Sequence, residues 1–343
     1  MSAQPVAIRI SAFSRPNWII SGREDLTWFI GSSGAGYLAL ALMAAGFPLT
    51  PLFLVWLIGI DGPHVLATVT RTYFDKVERS KLGPVLWVIV PAMLVGPAMV
   101  AMGGEALFYL LAVTWLHFHI AKQHFGFVML YKHKNRERDR LDYFLDRYFL
   151  LASLMLPYLR FVTATVDVLK KSSVVHAVDG LLLIAYIGLA AVFVGRQIVK
   201  LRMGVPINSP KLLLFAAVVP LQWLAFGYAA TFGFAGIIRA GIVAGLFHSF
   251  QYHRLMWFHN QNRYGEPGSE GRFGLAATLA RHFGFYALAA LSLNLALNVL
   301  PAMMLPASPV KAAVWGFAFT HYCLDARIWR VRGNRELAAA LRL

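Results

Sequence analysis

A run of about 20 apolar residues is the length of helix that crosses a bilayer, and this chain is built from such runs. They fall at roughly 27–46, 50–71, 84–103, 105–131, 143–162, 178–198, 211–230, 234–258, 276–302 and 308–329. With 58% of its 343 residues hydrophobic, the chain has too little polar surface for a water-soluble protein of this length. Inside lipid every backbone N–H and C=O must be bonded within the protein, which leaves helices or closed barrels. Long continuous runs broken by Gly and Pro, with no period-two alternation, select helices. The fold class expected is therefore all-α: a polytopic integral membrane bundle of about ten transmembrane helices.

The formal net charge of +16 first raises the idea of a nucleic-acid partner. The cations, however, concentrate in every second connection, with Arg160, Lys170 and Lys171 the main exceptions. Arg71, Lys76, Arg79 and Lys81 follow the second run, Lys132, Lys134, Arg136, Arg138, Arg140 and Arg147 the fourth, and Arg196, Lys200, Arg202 and Lys211 the sixth. That alternation is the positive-inside pattern of a membrane protein. It puts both termini in the cytoplasm and calls for no nucleic acid. Residues 1–26 read as a cytoplasmic arm with no cleavable signal peptide, 27–330 as the transmembrane domain and 331–343 as a basic tail. The single cysteine, Cys323, excludes an internal disulfide and a CxxC metal or redox site.

Crossing a membrane does not call for histidine, so histidines inside such helices are functional until shown otherwise. The even-numbered runs carry them. His64, His117, His248 and His321 each stand 13–15 residues from the outer end of their helix, which predicts one layer of imidazoles in the cytoplasmic half of the bilayer. His124, His253, His259 and Asp325 form a second layer one or two turns nearer the cytoplasm. His119, two residues from His117, points to the other side of its helix and reads either as a ligand to a second ion or as a packing residue. Asp61 and His64 are i, i+3 and His321 and Asp325 are i, i+4, spacings that let a carboxylate touch the imidazole or bind a metal itself. Tyr252 shares a face with His248 and His259. The plain alternative for each stripe is polar hydrogen bonding between helices.

Imidazoles with a few carboxylates and no thiolate suit iron first, as one ion or two, with zinc or copper as alternatives. The metal candidates are His64, His117, His119, His124, His248, His253, His259 and His321, and the catalytic candidates are Asp61, Asp325 and Tyr252. No His is followed by Glu, so the HExxH signature of zinc proteases is absent. A haem-binding electron-transfer protein would need only two facing histidines per haem. A transition-metal or proton transporter would need ionisable groups reaching the outer face, where the even helices have almost none.

Three short motifs carry a resemblance. Gly62-Pro63-His64, His124-Phe125-Gly126 and His248-Ser249 followed by His253 stand in the order found in the bacterial membrane-embedded β-carotene 15,15'-dioxygenase family, the relatives of the bacteriorhodopsin-related protein. The chain is also similar in a general way to His-rich membrane desaturases and hydroxylases, without their HxxHH boxes. The resemblance implies iron ligands at His64, His124, His248 and His253. Together with the histidine layers it leads to the expectation of an inner-membrane non-haem iron oxidoreductase, with its metal site in the cytoplasmic half. Its expected partners are a hydrophobic lipid, isoprenoid or carotenoid substrate, dioxygen, an electron donor and membrane lipid.

Overall fold

The computed structural model describes residues 16–305 and 307–343. Among them there is no strand. Ten long helical segments follow one another: α1 (Gly22–Ala44), α2 (Leu49–Thr72), α3 (Lys76–Ala101), α4 (Glu105–Lys134), α5 (Arg140–Thr165), α6 (Ser173–Arg202), α7 (Ser209–Ala230), α8 (Gly233–Tyr264), α9 (Phe283–Met304) and α10 (Ser308–Ile328). Eight of these, all but α4 and α10, are long and apolar enough to cross a membrane. Most of the expected N-terminal arm, residues 1–15, lies outside the described residues.

The chain divides into two compact units. One comprises residues up to 40 together with 120–244; the other comprises 41–119 and 245–343. In the first unit α5 packs against α6 and α7. The far side of α6 presents Leu181, Ile184 and Ile187 at 66%, 68% and 58% exposure, a surface that lipid solvates and water does not. The ends of these helices enclose a charge network. Lys132, Lys200 and Lys211 are all nearly buried. Lys132 Nζ reaches Asp146 (2.6 Å), Lys200 reaches Asp142 (2.9 Å) and Glu137 (3.0 Å), and Lys211 reaches Asp146 and Glu137 (both 2.9 Å). Burial alone would raise the Glu137 carboxyl, but Lys211, Lys132 and Lys200 outweigh it and hold it down at about 2. Lysines that the sequence counts as free loop cations are thus neutralised inside the protein.

In the second unit α3 packs along α10, and α2 along α9 and α10. The α3–α10 contact is backbone-close, since a Cβ on Gly316 would meet Met93 Cα at 2.6 Å. This is the small-residue packing that membrane helices use where no hydrophobic force drives them together. A second constraint acts on α2. Pro63 has no N–H to give the preceding turn, and Val55–Asp61 takes a wider π-helical path. Its loosened carbonyls are claimed by neighbours. Asn294 of α9 donates to Leu57 O (3.2 Å) and Ile58 O (3.1 Å), and His253 of α8 donates to Ile60 O (3.0 Å). Gly62 leaves room for the Asn294 amide, which a Cβ there would strike. His64 therefore enters from a turn braced on two sides.

The C-terminal residues are packed. Arg335–Ala340 forms a short helix with Leu337 buried, and Glu336 accepts from Lys81 (2.7 Å) and Arg263 (2.9 Å). Those two bonds hold its carboxyl at about 2.

Glu137→Gln leaves Lys211 and Lys200 short of a partner, and breaking a buried pair from one side costs about 3–5 kcal/mol; its thermal unfolding midpoint in detergent should fall clearly below wild type. Because the native Glu137 lies below its ordinary 4.5, its contribution is complete above that pH and is lost as pH falls toward 2. The variant should show a shallower loss of stability over that acid range.

Candidate metal centre

Four helices of the second unit each send one imidazole to a common point: His64 from α2, His119 from α4, His248 from α8 and His321 from α10. One nitrogen from each can be chosen so that all four lie within 4.8 Å of one another, and all four residues are buried. The His64 ring centroid is 4.6 Å from that of His248 and 4.5 Å from that of His321, and His119 is 4.8 Å from His321 and 5.2 Å from His248.

Two features show what the cluster lacks. His64 is 2% exposed, yet neither of its ring nitrogens has a hydrogen-bond partner among the described residues. Its nearest anion is Asp61, with Oδ1 3.8 Å from Nδ1. Each unsatisfied buried polar atom costs about 1–3 kcal/mol. In addition, Nε2 of His321 faces Nε2 of His119 at 3.1 Å. Either one ring donates an Nε2–H to the other's Nε2, or both Nε2 lone pairs face a shared cation. Nitrogens bound at about 2.1 Å to one ion lie about 3.0 to 3.4 Å apart in octahedral cis or tetrahedral geometry, and the observed separation falls in that interval. The donor set fits an ion that takes imidazole nitrogen.

The surroundings orient the rings. Thr68 Oγ1 lies 2.6 Å from His321 Nδ1, 2.8 Å from Tyr252 OH and 3.1 Å from Asp325 Oδ1, and Tyr252 OH donates to the same carboxylate oxygen at 3.1 Å. A metal on Nε2 of His321 requires the ring proton on Nδ1. That proton then goes to Thr68 Oγ1, and the Thr68 hydroxyl donates to Asp325. This is a carboxylate–histidine relay with one hydroxyl inserted, which fixes both tautomer and ring direction. His119 is held differently, stacked on Tyr322 at 4.4 Å with the planes 25° apart. Asp61 accepts from Ser249 Oγ at 2.8 Å, which ties the carboxylate beside His64 to the residue following His248.

The sequence candidates separate on this geometry. His64, His119, His248 and His321 come together, with Asp61, Asp325 and Tyr252 around them. His117, two residues from His119 on α4, is turned away by about 200° on helical geometry and is not one of the four. His253 has both nitrogens occupied, Nδ1 by the Tyr286 hydroxyl and Nε2 by Ile60 O, each at 3.0 Å. It braces α2 and has no lone pair to offer. His259 bonds Asn260 Oδ1 through Nδ1 at 3.1 Å and sits beside Trp329 and Tyr264. His124 belongs to the other unit. One group of this kind occurs among the described residues. Tyr322 was missed as a site residue, although its place next to His321 was a signal.

Comparison with family models, curated proteins and solved structures found no match for this chain. Of the four ligands implied by the dioxygenase resemblance, His64 and His248 are in the cluster, while His253 is bonded elsewhere and His124 lies in the other unit.

His119→Ala should lose bound metal while His117→Ala keeps it, as read by metal analysis of detergent-purified protein. His253→Phe should keep its metal but unfold earlier, by about 1–3 kcal/mol, because Ile60 O is left without its donor.

Proposed function

We propose that this chain is a ten-helix inner-membrane protein with both termini in the cytoplasm, and that it is a non-haem iron oxidoreductase. One iron is held by His64, His119, His248 and His321 in the cytoplasmic half of the bilayer, and a hydrophobic lipid, isoprenoid or carotenoid is oxidised with dioxygen. The observation that carries this reading is the buried His64 ring, with both nitrogens unbonded and nitrogens of three more imidazoles within 4.8 Å. All four ligands are neutral imidazoles, which suit iron, copper or zinc, and thiolate is absent. A haem is disfavoured by the same distances: four rings with neighbouring centroids 4.5–5.2 Å apart leave no slab for a porphyrin between any facing pair.

Bound iron supplies the one-electron chemistry through which dioxygen reacts with an unactivated carbon. The chain's own residues do the rest. Thr68, Asp325 and Tyr252 keep the His321 proton on Nδ1 and its Nε2 bare. The Tyr322 stack holds His119 facing His321, and Asp61 gives a carboxylate beside His64 within reach of a ligand or a proton. Phe319 and Tyr322, with Trp115 stacked on Phe319 at 5.0 Å, provide an apolar flank that keeps water from the oxidant. A substrate already dissolved in the bilayer reaches such a site without crossing water, which is the advantage of placing it there.

The test is metal analysis followed by oxygen uptake. Protein grown with ample iron should carry about one iron per chain with no haem absorbance, and should consume oxygen when given membrane-lipid or polyene extracts; His64→Ala should lose both properties. A requirement for added reductant would show that an electron donor completes the reaction. Metal-free protein after growth with iron, zinc and copper would overturn the reading.

A further inference from the structure

One buried, charged residue of the second unit has no carboxylate in salt-bridge contact among the described residues. Arg71, in the last turn of α2, is 3% exposed. Its Nη2 donates to Ile328 O at 2.7 Å, while Nε and Nη1 are buried without any acceptor among the described residues. The acids nearby are committed to other groups. Asp75 accepts from Arg263, Tyr264 and two backbone N–H groups, and Asp325 accepts from Thr68 and Tyr252. Trp329 lies flat against the guanidinium, with Cζ 4.1 Å from the ring centroid. This cation–π contact offsets part of the cost of burial. The indole Nε1–H of Trp329 is itself buried with no acceptor.

Two adjacent side chains, both able only to donate, thus hold three buried nitrogens without an acceptor among the described residues. What answers them is an acceptor, and an oxyanion answers a buried guanidinium with charge as well as hydrogen bonds. Arg71 follows His64 by seven residues on the same face of α2, which is about 10 Å along the axis. That distance is within the length of an acyl or polyene chain.

We infer that Arg71 and Trp329 form a binding site for the oxyanion head of an amphiphile. The reacting lipid would then be an acidic one, held by its carboxylate or phosphate at Arg71 while its chain reaches the four imidazoles. That this amphiphile is the substrate rests on the function proposed above; that an oxyanion binds here does not.

The experiment uses the full-length chain in non-ionic detergent, without added iron, and measures equilibrium binding of radiolabelled palmitate, methyl palmitate and hexadecyl phosphate. Palmitate or hexadecyl phosphate should bind at least about tenfold more tightly than the uncharged ester, and Arg71→Gln should abolish that preference. Trp329→Phe keeps an aromatic face on the guanidinium but removes the pyrrole ring with its N–H, so it should weaken acid binding several-fold with a smaller effect on ester binding. A carboxylate-only result identifies a fatty-acid-like head, and a phosphate-only result a phospholipid-like one. Equal affinity for acid and ester, or acid binding unchanged in a folded Arg71→Gln protein, would overturn the inference. If Arg71→Gln does not fold, the acid–ester comparison and Trp329→Phe decide. Selective acid binding by a protein that never takes up metal would sink the oxidoreductase reading and leave this site standing.

Discussion

Four imidazoles gathered at one point inside an apolar unit are a costly arrangement that a shared cation would stabilise. Each nitrogen removed from water loses hydrogen bonds unless the protein or a cation replaces them. The buried His64 ring, unbonded at both nitrogens, is a cost that the fold sustains, and much else in the second unit holds the four rings together. Glycine at 316 lets α10 approach α3, and glycine at 62 admits Asn294 beside the widened turn of α2. His253 and Asn294 satisfy the carbonyls of that turn. Thr68 links His321 to Asp325. A bound metal would repay these costs in one step, which is why metal binding and folding are expected to be coupled in such a site.

Buried charge is handled in two ways in this protein. In the first unit three buried lysines meet Glu137, Asp142 and Asp146, so the network is closed. In the second unit Arg263 is likewise closed by Asp75, Glu78 and Glu336. Arg71, one helix away, makes its direct contacts with a carbonyl and an indole face and has no carboxylate in salt-bridge contact among the described residues. The contrast sets Arg71 apart from the paired cations and is the basis for proposing an oxyanion there.

Much of this was legible in the sequence. Helix class and the limits of the long helices follow from apolar runs ended by Gly, Pro and charge. The i, i+3 and i, i+4 spacings of Asp61 with His64 and of His321 with Asp325 correspond to contacts of 3.8 and 3.6 Å. The rotation of α4 was not legible. His117, His119 and His124 lie on one helix without a strong apolar stripe, and nothing local says which of them faces the other histidine helices. The role of His253 was hidden for a different reason. Its partners, Ile60 O and Tyr286, are distant in sequence, and Ile60 O is open to it because Val55–Asp61 adopts a π-helical path rather than the regular spacing a sequence reading assumes. The loop lysines misled in a third way, since a charge count cannot see that Lys132, Lys200 and Lys211 are paired inside the protein.

The central claim is that one ion is held by four imidazoles, and X-ray absorption at the metal edge of the purified, metal-loaded protein tests it most directly. The account predicts a first shell dominated by nitrogen at about 2.1 Å, with outer-shell scattering that requires four imidazole rings, falling to three in His119→Ala and unchanged in His117→Ala. A shell containing two or fewer imidazoles, or one that His119→Ala leaves intact, would contradict it.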